Sequence, residues 1–255
     1  MSNLEELFGK LAVCPLEQID KYVADGKKVI GCAPVYAPEE LVYASGMIPM
    51  AIWGAEGEVT LAKEYFPAFY VSIILRLLDL GLEGKLDKMS GMILPGLSDG
   101  LKGLSQNWKR AVKNVPALYI GYGQNRKIEA GIVYNARQYE KLKVQLEEIA
   151  GKKIEDAQIE EAIVLYNKHR KAMQAFSDLA AKHLNTVTPS LRAKVMSSAC
   201  LMDKAEHLEI VEAINAELSA MPEEKFDGKK IVTTGLLANS PEILKIFEEF
   251  KLGIV

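Results

Sequence analysis

Cysteine is scarce in this 255-residue chain: Cys14, Cys32 and Cys200 are far apart and no two form a CxxC pair. An odd, scattered set excludes a disulfide framework and points to a reducing compartment. Histidine is as sparse. His169, His183 and His207 fall in one helical stretch without Asp, Glu or Cys at ligand spacing, which predicts surface or partly buried helix histidines rather than a metal or catalytic set. Charge of one sign is lacking too, since 31 Lys and Arg stand against 34 Asp and Glu for a net charge of −3. Phosphate binding relies on clustered cations, so nucleic acid is not an expected partner. The pairs Lys27–Lys28, Lys152–Lys153 and Lys229–Lys230 each lie beside a turn, where solvated charge is ordinary. No apolar run approaches the ~20 residues of a membrane span. The longest, Phe66 to Leu82, contains Arg76 and Asp79 and is expected to be a buried helix. The opening MSNLEELFGKL carries acids instead of a basic leader, so no membrane partner and a cytoplasmic location are expected. GxGxxG, the P-loop and GxSxG are all missing, as is any internal repeat.

What is present is an ordinary globular balance, 49% hydrophobic and 25% charged, enough to close a core without staples. Three zones follow from the pattern. Over 1–125, short apolar runs at Lys28–Cys32, Ile48–Trp53, Met92–Pro95 and Ala117–Gly121 are bounded by Gly or Pro, as buried parallel strands are. Between them, Ala37-Pro38-Glu39-Glu40 opens a helix that Gly46 stops, and further helices are expected over 64–80 and 99–113. Over 126–220 only helical stripes occur, at Tyr139–Ile149, from Ile159 to Phe176, after Thr188-Pro189-Ser190, and over Ala205–Leu218. Over 221–255 a strand at Gly228–Gly235, a helix opened by Ser240-Pro241-Glu242 and a strand start at Leu252–Val255 suggest the beginning of a second α/β domain. One strand, one helix and a stub cannot bury both faces of a parallel sheet. The chain is therefore expected either to stop inside that domain or to complete its sheet in another way. The fold class is α/β: a Rossmann-like parallel sheet domain, a helical segment, and the start of a second α/β domain.

Several residues invite chemistry, each against a plainer reading. Ser98-Asp99 follows a strand's carboxyl end, where parallel α/β folds place ligands, or Ser98 simply caps a helix. Gln124, Asn125 and Arg126 also follow a strand end, and serve either as hydrogen-bond partners for a ligand carbonyl or phosphate or as plain loop. Glu39 and Glu40 sit in a first helical turn, where the macrodipole alone favours acids. Cys32 ends an apolar strand as a small hydrophobe, Cys200 lies on a helix after MSSA, and nothing activates Cys14. Trp53 and Trp108 are expected in the core or at a contact between subunits. The catalytic residues are not identified by these patterns, and no metal ligands are expected.

The stretch GCAPVYAPEELVYASGMIPMAIWGA, from Gly31 to Ala55, resembles the N-terminal signature of 2-hydroxyacyl-CoA dehydratase beta subunits, of the 2-hydroxyglutaryl-CoA dehydratase D-component type. KEYFPAFY at 63–70, SQNWK at 105–109, QNRKIEAG at 124–131, YNKHRKA at 166–172 and MPEEKFDGKKIVTTGLLANSPEIL at 221–244 extend the resemblance along the whole chain. It implies a heterodimeric lyase of amino-acid-fermenting anaerobes that removes water from an (R)-2-hydroxyacyl-CoA. Its implied partners are an alpha-type subunit, an ATP-dependent activator that injects one electron to make a ketyl radical, and the acyl-CoA itself. It also implies a four-iron, four-sulfur cluster on three cysteines of each subunit, because iron in such clusters needs soft anionic ligands. The chain departs from the family there: Val71 and Ser98 stand where two cluster cysteines are expected, and Tyr122-Gly123 replaces a His-Pro. Family subunits continue past the position of Val255, where a third cysteine would lie. No cluster is therefore expected in this chain, which alone is expected to be inactive. Two alternatives stand beside the dehydratase subunit: a non-catalytic paralogue that binds a partner subunit or acyl-CoA, and a benzoyl-CoA-reductase-type subunit.

Overall fold

The computed structural model describes residues 3–33, 36–53, 57–67, 69–125, 127–234 and 240–255. In chain order the first elements are α1 (Asn3–Gly9), α2 (Pro15–Ala24), β1 (Val29–Cys32), α3 (Glu39–Ala44), β2 (Ile48–Ala51), α4 (Ser72–Leu82), β3 (Gly91–Gly96), α5 (Asp99–Ala111) and β4 (Ala117–Gly121). They are followed by α6 (Glu129–Ala150), α7 (Asp156–Ala180), α8 (Pro189–Ser198), α9 (Lys204–Ala220), β5 (Lys229–Ile231), α10 (Pro241–Glu249) and β6 (Leu252–Ile254). The chain divides into two compact units, Cys14–Ile163 and Met1–Val13 with Val164–Val255.

The first unit is built on a four-stranded sheet in the order β2-β1-β3-β4. Every neighbouring pair is parallel, with Val29 opposite Ile48, Cys32 opposite Ile93 and Met92 opposite Ala117. The four strands expected from the apolar runs are these four. Each is short and buried along most of its length, since a parallel sheet is covered on both faces. Alternation sorts the side chains. Ile30, Cys32, Ile93, Leu118 and Ile120 pack with Leu41 and Val42 of α3 and with Leu142 and Leu146 of α6. On the opposite face α5 packs against β3 and β4 and alongside α4. Trp108 of α5 is fully buried, and its indole N–H donates to the Val115 carbonyl at 2.8 Å. Burying each such large side chain contributes about 1.5–3 kcal/mol.

Helices α4 and α5 run side by side in the same direction. A Cβ placed on Gly100, at the start of α5, would meet Ile74 at 2.6 Å and Tyr70 at 3.8 Å. One placed on Gly81, near the end of α4, would meet Val112 at 2.8 Å and Trp108 at 2.9 Å. Glycine is needed at Gly81 because the two helices approach too closely there for any side chain.

The single helix expected over 64–80 is corrected by the structure. A short 3-10 turn covers Leu61–Glu64, and α4 begins only at Ser72, after Val71 in an extended conformation (φ −61, ψ 128). Pro67 lacks the N–H that a continuous helix would use. The two charges inside this apolar run have a structural task. Asp79 is fully buried and accepts hydrogen bonds from Thr60 N at 2.8 Å, Ala62 N at 2.6 Å and Arg76 at 2.8 Å. Burial alone would raise the Asp79 pKa, but these donors outweigh it and hold the carboxyl below its ordinary value. Other expectations shift by a few residues. Of the strand expected at 228–235, Lys229–Ile231 is the part that forms a strand among the described residues, and Gly235 lies outside them. Cys200 lies in a turn beyond α8 instead of on a helix, because α8 ends at Ser198.

The second unit gathers α1, α8, α9 and most of α7 around Phe176, Val195, Val211, Ile214 and Leu218, all fully buried. Its β5 and β6 pair in parallel, with Lys229 opposite Leu252. The histidines are not surface residues here: His169, His183 and His207 are 6%, 2% and 0% exposed. Two of them form a buried relay. Ser198 Oγ donates to the Val195 carbonyl at 3.0 Å, so it accepts from His207 Nε2 at 2.9 Å. His207 Nδ1 is then left as the acceptor for His169 Nε2 at 2.8 Å. Both rings are thereby assigned as neutral Nε2–H tautomers.

Candidate functional site

In a parallel sheet, ligands bind beyond the carboxyl ends of the strands, where consecutive connections leave toward opposite faces. That point is identifiable here. The connection after β1 passes through α3 on one face and returns to β2, whereas the connection after β3 passes through α5 on the other face and goes on to β4. The crevice therefore lies between the carboxyl ends of β1 and β3, and Ala33 N donating to the Ile93 carbonyl at 3.0 Å closes its floor.

Every described site residue singled out from the sequence lies on this carboxyl edge. Glu39 opens α3 after β1 and is half-buried. Ser98 caps α5 immediately after β3, with its Oγ accepting from Leu101 N at 3.2 Å. Asp99 projects into solvent, its side chain 98% exposed and 3.5 Å from Lys102. Gln124 and Asn125 are exposed beyond β4, and Asn125 Oδ1 accepts from Lys127 N at 3.2 Å. Arg126 lies outside the described residues. Val71 precedes the first turn of α4, next to the start of α5, and is 61% exposed.

Sequence reasoning missed the clasp across this edge. The Tyr122 hydroxyl, beyond β4, donates to the carbonyl of Tyr36, beyond β1, although β3 separates those strands. Tyr36 adopts a left-handed backbone, φ 66, which is strained for a residue with a Cβ. Burial, and then the hydrogen bond with Tyr139, push the Tyr122 phenol above its ordinary pKa, so it stays a donor. Asn135 of α6 holds the same loop by accepting from Gly123 N at 3.0 Å. Tyr36 at a helix-free position and Tyr122 after a strand carry no periodic signal that links them. Trp53, expected in the core or at a contact, is 38% exposed beyond β2.

A family model described as "2-hydroxyglutaryl-CoA dehydratase, D-component" matches residues 34–255. The chain belongs to that family. It is 43% identical over 259 positions to the (R)-phenyllactyl-CoA dehydratase beta subunit of Clostridium sporogenes, covering 100% of this chain and 69% of that one. It is 43% identical over 256 positions to the beta subunit of the (R)-2-hydroxyglutaryl-CoA dehydratase of Acidaminococcus fermentans, covering 100% of this chain and 68% of that one. A benzoyl-CoA reductase subunit of Thauera aromatica is more distant, at 28% over 221 positions covering 85% of this chain and 57% of that one.

A four-iron cluster takes its ligands from thiolates that converge on one cavity. Cys32 is 2% exposed, with its Sγ 3.9 Å from the Ile30 carbonyl, where a thiol S–H points at an acceptor. Cys14 precedes α2, and Cys200 belongs to the other unit. Among the described residues no group of three or more His, Cys, Asp or Glu is placed to hold a metal ion. The donor set present does not fit such a cluster. Among the described residues no helix is long and apolar enough to cross a membrane.

Proposed function

We propose that this chain is a beta-type subunit of an (R)-2-hydroxyacyl-CoA dehydratase. With an alpha-type subunit and an ATP-dependent activator, it takes part in removing water from an (R)-2-hydroxyacyl-CoA to leave the 2-enoyl-CoA, in the cytoplasm of an anaerobe. One observation carries the reading: two dehydratase beta subunits align with the chain from end to end at 43% identity. The parallel sheet with its switch-point crevice supports it, because such an edge positions ligands. In this reading 1–125 is the α/β domain that faces substrate or partner, 126–220 a helical segment, and 221–255 the beginning of a second α/β domain. Glu39, Asp99, Gln124, Asn125 and Arg126 are the residues placed to contact acyl-CoA or the partner subunit.

The experiment is anaerobic co-purification with an alpha-type subunit, followed by assay with activator, ATP, reductant and a panel of 2-hydroxyacyl-CoA thioesters. Enoyl-CoA formation that requires this chain is the expected result. Stable association with no turnover on any thioester would favour instead the non-catalytic paralogue, a reading supported by the lack of converging thiols. Failure to associate, together with activity of the alpha-type chain alone, would overturn the proposal. A benzoyl-CoA-reductase-type subunit is less favoured, since that relative is the more distant one.

A further inference from the structure

The starts of α4 and α5 lie side by side at the carboxyl edge, and the residues just before them are Val71 and Ser98. Val71 offers no donor atom, and its side chain forms no cap hydrogen bond. The Ser98 hydroxyl is already committed to Leu101 N. An alcohol oxygen is also a hard, protonated ligand where iron–sulfur clusters take soft thiolates. Cys32 is the nearest strand-end thiol in sequence, but strand alternation turns it to the α3 and α6 face, among Leu41, Leu142 and Leu146. Helices α4 and α5 cover the other face. Cys14 then remains as a single thiol in this unit, and one thiolate cannot hold four irons.

We infer that these 255 residues hold no iron–sulfur cluster of their own, and that of the two helix starts which would frame one, Ser98 serves instead as a helix cap while Val71 presents only an apolar side chain. Any cluster used by a complex containing these residues takes its ligands from outside them. The inference depends on the dehydratase reading only for the chain's task, and the two fail separately: iron content tests this one, and enoyl-CoA formation tests the other.

The test is iron and acid-labile sulfide analysis of the chain, purified anaerobically and incubated with ferrous iron, sulfide and thiol reductant, then desalted. The expected result is below about 0.4 iron per chain and no broad visible absorption, against about 4 for a cluster-bearing chain. If the isolated chain aggregates, the same analysis is made on its co-purified complex with an alpha-type subunit, comparing the complex with one in which this chain carries Cys14→Ser and Cys32→Ser. Unchanged iron in the two complexes supports the inference. About four irons and four sulfides on the isolated chain, or about four irons lost from the complex with the double substitution, would overturn it.

Discussion

The buried histidine relay makes the helical unit sensitive to mild acid. His169 and His207 are pushed down from 6.5 to about 3 and about 4, first by burial and then by the charge of Lys204. Lys204 is itself buried, donates to the Ala199 carbonyl at 2.7 Å, and lies 4.9 Å from the centre of the Tyr166 ring. The unfolded chain therefore takes up protons below pH 6.5 that the folded relay refuses. Stability contributed by the neutral pair is fully present above that pH and falls as the pH drops toward the folded values. Between about pH 8 and about pH 5.5 the loss is set by the unfolded pKa, because both folded values lie well below the window: roughly 1.4 kcal/mol per histidine, or about 2.8 kcal/mol for the pair.

Urea unfolding followed by circular dichroism at the two pH values measures it. Trp53 and Trp108 both belong to the Cys14–Ile163 unit, so their fluorescence separates that unit's transition from the helical one. The parent is compared with the double variant His169→Gln, His207→Gln, and His183 is present in both and cancels. The variant is expected to be less stable at the higher pH but to lose about 2.8 kcal/mol less on acidification. Helical-unit stability that is unchanged between the two pH values, or a double variant that keeps the whole pH-dependent drop, would refute the neutral-relay assignment.

Three further outcomes are expected. Asp79→Ala removes the acceptor of the Thr60 and Ala62 N–H groups, while Arg76 keeps the Glu58 carbonyl at 2.8 Å and Glu83 at 3.6 Å, and should destabilise the sheet unit by about 2–4 kcal/mol in denaturant titration; a loss below about 1 kcal/mol would show that the clamp is dispensable. Gly81→Val forces α4 away from Trp108 and Val112, at a cost of about 1–3 kcal/mol, with a red-shifted Trp108 emission as the structural readout; an unchanged spectrum and melting temperature would contradict the close approach. Val71→Cys with Ser98→Cys should bind iron weakly where the parent binds none, and spin labels on the two cysteines should report proximity; Cβ atoms farther apart than about 10 Å could not share one cluster, and that measurement would remove the assigned equivalence of the two positions.

Some of this protein was written in local pattern. Apolar runs bounded by Gly and Pro located β1 to β4, because burial on both faces of a parallel sheet demands continuous hydrophobicity. Helix-length spacers between them implied parallel pairing. Ser98, Thr188 and Ser240 announced the starts of α5, α8 and α10, since a hydroxyl at that position satisfies an N–H that the helix cannot. The residues at Glu39, Ser98, Asp99, Gln124 and Asn125 were legible as an edge because each follows a strand. Pro15 and Gly26 bracket α2, a local signal that the strand pattern beside it overshadows. Other features depended on which elements meet. The break before α4 has a local signal in Pro67, but the partners of Asp79, backbone groups of Thr60 and Ala62 17 to 19 positions away, depended on packing. The strand order β2-β1-β3-β4, which creates the crevice, comes from which faces α3 and α5 cover, and local periodicity does not specify that choice. The Tyr122–Tyr36 clasp spans 86 positions, and the His169–His207 pair spans 38. A polar side chain's partner across such distances is set by packing. The sequence states only that the side chain will need one.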